Sequence, residues 1–319
     1  MADIISTDNE PEVHLGTAME LDRRRMMRRA GIGVGAAALA ASGLLSSTSP
    51  ARAANQGAGP PDADIFNFAL NLEYLEAEFY LYAATGQGLP ANMRTGTGYQ
   101  GGVNPGMQVP FKSRAIQQYA KRIAVDEMSH VRFIRTVLGA GAVAEPTIDV
   151  GVGPNNAFSV LAVAAGLIVQ GQTFNPYADD VSFLLGASIF EDVGVTAYAG
   201  AARYIGNPDF LEAAAGILAV EAYHSGAIRT LLADLGAGQA FGLISALRGK
   251  LSAAGGGAGT EAEQPILLSP EQRYNFVAND ANGLAFRRNT RQVLNIVYGA
   301  AGATSGLFFP TGLSGNIKA

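Results

Sequence analysis

Cysteine is absent from the 319-residue chain. Its absence excludes disulfides, cysteine-ligated zinc and iron–sulfur clusters together, and it leaves any argument about export to the N-terminus. Charge is sparse as well: 15% of residues are Asp, Glu, Lys or Arg, with a formal net charge of -5 and a pI near 5.3. No basic stripe appears beyond the N-terminal segment, so the sequence predicts no nucleic-acid partner. Histidine is scarcer still, with three in the chain. What is abundant is apolar surface, 48% of residues, enough over this length to bury a substantial core.

Residues 1–53 read as a targeting segment rather than as part of a fold. Asp22-Arg23-Arg24-Arg25-Met26-Met27-Arg28 resembles the twin-arginine export motif, in which two arginines precede a spacer, two apolar residues and a basic one. The apolar run from Ala30 to Leu45 is diluted by glycine and falls short of the ~20 residues that an uncleaved transmembrane anchor requires. Pro50-Ala51-Arg52-Ala53 then offers an A-x-A processing site. The resemblance implies the twin-arginine export machinery as a partner and a periplasmic or extracellular location. His14 leaves with the leader, so the mature chain keeps only His130 and His224.

Both of these histidines close a copy of one spacing, Glu127-x-x-His130 and Glu221-x-x-His224. On a helix, positions i and i+3 share a face, so each copy presents a carboxylate and an imidazole to the same neighbour. Four-helix bundles with a di-iron or di-manganese centre take one Glu from each of two helices and a Glu-x-x-His from each of the other two. The lone glutamates are present in the right order: Glu73 or Glu76 ahead of the first copy, Glu191 ahead of the second. A single Glu-x-x-His is weak, because solvated helix surfaces are rich in Glu. Two copies that use every mature histidine point to metal.

Glu73 and Glu191 are each followed seven residues later by a tyrosine, Tyr80 and Tyr198, which makes a weak internal repeat of Glu-x6-Tyr and then Glu-x-x-His. At about 100° per residue, Tyr80 lies about 20° round the helix from Glu73 and Glu76 about 60°. Glu78 points nearly the opposite way and is expected to be solvated. A carboxylate in one stripe with Ala69, Ala77 and Tyr80 needs a partner, since an unpaired buried charge is costly, and a cation would supply it. Tyr80 and Tyr198 are candidate hydrogen-bond donors or electron relays for such a centre, beside the ordinary reading of core tyrosines.

After a Gly/Pro-rich linker over residues 54–61, Asp62 or Asp64 can cap a first helix that runs to about Ala84 and is stopped by Thr85-Gly86. Residues 85–110 read as a long surface loop. A second helix runs from about Ser113 to Leu138. A connection of roughly forty residues follows, whose apolar stretch from Phe158 to Val169 can form a buried helix. A third helix runs from near Ala178 to Tyr204. Asn207 and Pro208 open a fourth, which ends at Gly236. Beyond it, Phe241–Leu251 and Thr290–Tyr298 read as short helices around a glycine-rich flexible break at residues 255–259. Phe308-Phe309-Pro310 can pack back on the bundle, as a structural cover, over a site entrance or at a subunit contact.

Leu70-Asn71-Leu72-Glu73 with Tyr80 is similar to the first-helix motif of bacterioferritins, where that Glu is a metal ligand. From residue 62 to the end the chain resembles the desiccation-related ferritin-like proteins of plants and bacteria, through LNLEYLEAEFY, DEMSH, FEDVGVTAY, EAYHSGAIRTLL and the closing VLNIVYG and FFPTGLSG. The resemblance implies an all-α, ferritin-like four-helix bundle over residues 62–236. It implies a long crossover between helices two and three, and an irregular C-terminal extension over 237–319. It carries over Glu73, Glu127, His130, Glu191, Glu221 and His224 as ligands of a dinuclear iron or manganese centre, with Glu76 in reserve. The implied chemistry is redox handling of O2 or peroxide in stress or desiccation protection. A manganese-catalase-like enzyme and a non-catalytic metal-binding or iron-storage protein are the alternatives, and a homo-oligomer is among the expectations. For the leader, Arg23→Lys with Arg24→Lys is expected to leave the precursor uncut after Ala53 in the cytoplasm with metal bound. Fractionation and elemental analysis check this, and a folded but metal-free retained precursor would refute it.

Overall fold

The computed structural model describes residues 59–257, 264–267 and 274–319. The leader, with its arginine pair and processing site, lies outside them. Four long helices form the bundle: α1 (Asp62–Thr85), α2 (Arg114–Leu138), α4 (Asp180–Ala201) and α5 (Pro208–Asp234). Local signals set their ends. The Ser113 hydroxyl accepts from the Ile116 N–H, the Asp179 carboxylate from Ser182 and the Asn207 side chain from Asp209. Gly86 stops α1 in the left-handed conformation, φ 76°, its N–H on the Tyr82 carbonyl. Asp62 and Asp64 do not cap α1. The Asp62 carboxylate instead accepts from the N–H groups of Gly206 and Asn207, at 2.9 and 2.8 Å, and so ties the start of α1 to the entrance of α5.

The four helices are not equivalent. In α2 the buried residues Ile116, Ala120, Ile123, Glu127, His130 and Ile134 recur at three- and four-residue intervals, the single inward stripe of an outer helix. In α1 and α4 burial runs almost without a break, over residues 70–80 and 183–198, so both are covered on every side. The cover comes from the crossover and the C-terminal extension. The crossover contains α3 (Ala157–Ala165) and β2 (Ile148–Asp149), which pairs in parallel with β1 (Val103–Asn104) from the preceding loop. That loop is therefore partly structured rather than wholly irregular. The extension contributes α6 (Gly238–Ala254) and α7 (Thr290–Tyr298). Phe308 packs its ring 5.1 Å from Phe158 and 4.9 Å from Phe190, while Phe79 lies 5.5 Å from Phe158 and 5.3 Å from Phe190. One aromatic cluster thus joins α1, α3, α4 and the extension, each offset ring pair adding about 1 kcal/mol beyond its buried area. The Asn71 side chain accepts from the Ser314 N–H at 2.8 Å and donates to its carbonyl at 3.0 Å, pinning the C-terminal segment to α1.

Glu78 is 1% exposed, against the expectation that it is solvated. Helical angle alone placed it away from the bundle axis, but the loop after α1 folds over that face. Its carboxylate accepts from the Leu89 N–H at 3.2 Å and lies 3.8 Å from Arg94, which also bonds Glu145. One guanidinium faces two buried carboxylates. Glu78 Oε2 and Glu145 Oε1 have no other donor, and a proton held between them supplies one. Burial, and next the Glu145 charge, push the Glu78 carboxyl up to about 9. A carboxyl raised in the folded state stabilises the fold fully below its unfolded pKa, and that contribution is lost as pH rises towards about 9. Glu78→Gln, which cannot ionise, is expected to remain folded at neutral pH and to lose less stability than the parent between pH 7 and about 10, by at least about 1 kcal/mol or roughly 2–4 °C. Parallel melting curves for the two proteins would show that Glu78 does not titrate in this window.

Candidate metal centre

The inward stripes of α2 and α5 bring the two Glu-x-x-His pairs face to face, and α1 and α4 each add a glutamate from the side. Ligand-type atoms of Glu73, Glu127, His130 and Glu221 lie within 4.8 Å of one another, and so do those of Glu127, Glu191 and His224. All of these residues are buried. Glu127 belongs to both groups: its Oε2 is 3.1 Å from His130 Nδ1 and its Oε1 is 3.1 Å from His224 Nδ1. His130 Nδ1 also faces Glu73 at 3.1 Å and Glu221 at 3.6 Å, and His224 Nδ1 faces Glu191 at 3.3 Å.

Most of these approaches lack hydrogen-bond geometry. Glu127 Oε1, Glu191 Oε2, both Glu221 oxygens and His224 Nδ1 have no hydrogen-bond partner although each is shut off from solvent. Buried polar atoms in proteins are normally satisfied. Five orphaned lone-pair atoms converging on one small volume fit cations held between them, and mixed carboxylate and imidazole donors suit iron or manganese.

Without such a cation the cluster is neutralised by protons. Burial alone would lower the His130 pKa, but Glu73 and Glu127 raise it to about 11. His224 is likewise raised against its burial, by Glu191 first. Burial would raise Glu127, yet the two imidazolium rings bring it down to about 2. Burial pushes Glu73 up to about 7, and it pushes Glu221 and Glu76 well above the usual carboxylate range, Glu221 with help from Glu76 and Glu76 with help from Glu127. Metal entry must therefore displace protons.

Hydroxyls and a third carboxylate orient the donors. Tyr80 of α1 donates to Glu191 of α4 at 2.5 Å, and Tyr198 of α4 donates to Glu73 of α1. The Glu-x6-Tyr repeat is thus a reciprocal clamp between the two central helices. Asp126 Oδ2 lies 3.2 Å from His224 Nε2, the ring nitrogen turned away from the cluster, and fixes the ring as carboxylates do behind metal-bound histidines. Glu76 contributes no atom to either group. It is buried at the rim, its carboxylate on the Gly194 side of Glu221. Gly194 makes that arrangement possible, since a Cβ there would sit 2.3 Å from Glu221 Oε2.

Residue pattern alone does not single out Asp126, Asp192 or Gly194. A signal existed: Asp126 and Asp192 each adjoin a cluster glutamate in the chain, and a glycine inside a helix is costly without a packing reason. Asp192 accepts from Ser225 at 2.6 Å, from Arg229 at 2.8 and 2.9 Å, and from Arg248 at 2.8 Å, all buried.

Fold and cluster together define a class, the four-helix bundles whose interior can hold a pair of metal ions between carboxylates and imidazoles. Comparison narrows this. The chain belongs to the ferritin-like family, whose domain profile matches residues 61–234. It is similar to the desiccation-related protein PCC13-62 of Craterostigma plantagineum, 32% identical over 269 residues that cover 79% of this chain and 84% of the relative. It is also similar to the ferritin-like catalase Nec2 of Nesocodon mauritianus, 26% identical over 275 residues, covering 82% and 86%.

Two substitutions test the centre. His130→Ala with His224→Ala is expected to reduce bound metal from about two ions per chain to well under one, with helix content kept, because apolar packing supports most helical stability. Gly194→Ala, which adds one methyl and removes no donor, is expected to weaken metal binding by roughly 10–100-fold, as displaced supporting contacts do. Elemental analysis and competition with a chelator measure both. Full occupancy in the double histidine variant would remove the site.

Proposed function

We propose that the protein is an exported metalloenzyme of stress or desiccation protection that handles peroxide or O2 at a dinuclear iron or manganese centre. Hydrogen peroxide is its favoured substrate, disproportionated to water and O2. The observation that carries this reading is Glu127 facing both histidines through separate oxygens, which suits two cations sharing one carboxylate. The name of the catalase relative supports the choice of reaction.

When bound, a redox-active pair would relay the two electrons that one peroxide molecule gives up and the other takes in each turnover. The chain's own residues do the rest. Glu73, Glu127, Glu191 and Glu221 hold the ions with His130 and His224, while Tyr80 and Tyr198 keep Glu191 and Glu73 in place. Reduction of one peroxide to two waters consumes two protons, and oxidation of the other releases two. Burial holds the Glu76 carboxyl well above the usual carboxylate range, and beside Glu221 it is placed to give a proton to one half and take one back from the other.

Two small cavities of about 20 Å3 each lie beside the residues that flank the cluster, one lined by Tyr198 and the other by Glu76 and Gly194, with otherwise apolar walls. Each has room for about one water-sized molecule. A non-catalytic metal-binding protein is the second reading, and the desiccation-related relative, named for its setting rather than for a reaction, favours it.

An oxygen electrode separates the two. The mature protein loaded with manganese or with iron is expected to evolve one O2 for every two peroxides, and Glu127→Ala is expected to lose at least about 100-fold of that rate. Full metal content without O2 evolution in either form would overturn the peroxide reading and favour metal binding alone.

A further inference from the structure

At the far end of α4 from the crossover, a cavity of 180 Å3 is lined by Gly200, Arg203, Tyr204, Arg287, Arg288 and Asn289. Three of its six lining residues are arginine and none is acidic, in a chain of net charge -5. The wall is built by close docking. Arg288 turns inward, 2% exposed, and bonds Ser252 at 2.9 Å and Thr196 at 2.6 Å, while its backbone N–H meets the Thr196 carbonyl at 2.9 Å. Gly200 permits this approach: a Cβ there would lie 1.8 Å from the Arg288 carbonyl oxygen. With Arg288 directed inward, the exposed Arg287 beside it lines the opening. Arg203 follows the last turn of α4 and stacks on the Tyr204 ring, its guanidinium carbon 5.5 Å from the ring centroid.

The carbonyl end of α4 accounts for one cation here. It does not account for a second on a different segment. Among the described residues neither Arg203 nor Arg287 forms an ion pair or a hydrogen bond. The nearby Asp62 carboxylate is already occupied by the N–H groups of Gly206 and Asn207. Asn289, also in the lining, is the N-cap of α7, so the positive end of that helix opens on the same space. Two guanidinium groups lining one cavity, a positive helix end and no acid among the described lining residues describe a site for a negative group, and planar guanidinium forks match oxyanions bidentately.

We propose that this cavity binds a small oxyanion, a phosphate or carboxylate group, gripped by Arg203 and Arg287 and backed by the start of α7. The proposal does not depend on the reaction at the metal centre. The test is titration calorimetry of the metal-loaded mature protein with inorganic phosphate, then citrate, at constant ionic strength, beside co-sedimentation with phosphatidylglycerol vesicles. The comparison protein is Arg203→Ser with Arg287→Ser, whose two side chains are exposed and lack partners that folding depends on. Saturable binding of phosphate or citrate, weakened at least about tenfold in the variant with metal content and circular dichroism unchanged, is the expected result. Equal binding by both proteins would put the anion at the metal centre or elsewhere and overturn the proposal. So would binding to vesicles alone, or the absence of saturable binding to any of the three.

Discussion

The interior of this bundle must accommodate five carboxylates and two imidazoles that are all buried. Removing an isolated carboxylate from solvent costs several kcal/mol, so the cluster of Glu73, Glu76, Glu127, Glu191, Glu221, His130 and His224 is tolerated only if cations or protons neutralise it. Both options are visible in the geometry. Orphaned oxygens converge as donors that could hold a metal, and without one charge balance falls to protonated histidines and protonated glutamates. The reciprocal tyrosines, the Asp126 carboxylate behind His224 and the space left by Gly194 all serve to keep these groups converging rather than relaxing towards solvent.

Keeping water out requires more than four helices. α1 and α4 are enclosed on all sides, so the crossover and the extension belong to the same core as the bundle. Phe308 enters the aromatic cluster around Phe79, and Ser314 locks onto Asn71. On α4 itself, burial alone would raise the Asp192 carboxyl, yet Arg229 and Arg248 hold it well below the usual carboxylate range. Arg229 reaches on to the carbonyls of Gln264 and Asn275, so the ion pair next to Glu191 also anchors the extension. Breaking such a buried pair typically costs about 3–5 kcal/mol, because the survivor is left charged and desolvated. A disturbance in the extension therefore reaches the helix that carries Glu191.

Several features were invisible in the sequence for identifiable reasons. Glu78 lies on the side of α1 that helical geometry turns away from the cluster, and nothing local shows that the following loop returns to bury it beside Glu145. Asp62 has the composition of a cap, but the donors it meets come from Gly206 and Asn207, nearly 150 residues away. The β1–β2 pair is two residues long on each strand, too short for any alternation to register. In each case the decisive partner is distant in the chain.

By itself the sequence determined the helices and the kind of side chains that meet inside them. Helix starts and stops are local: Ser113, Asp179, Asn207, Pro208 and Gly86 act through neighbours within four residues. Glu-x-x-His is local too, because the helical repeat alone puts both side chains on one face. The shared Glu-x6-Tyr spacing already favoured Glu73 over Glu76, but only the tertiary structure decided that Glu127 faces both histidines and that Tyr80 serves Glu191 rather than its own helix's glutamate. Those outcomes depend on how far helices approach and rotate against one another. That approach is governed by contacts such as Gly194 against Glu221 and Gly200 against the Arg288 carbonyl, which join residues with no local relation.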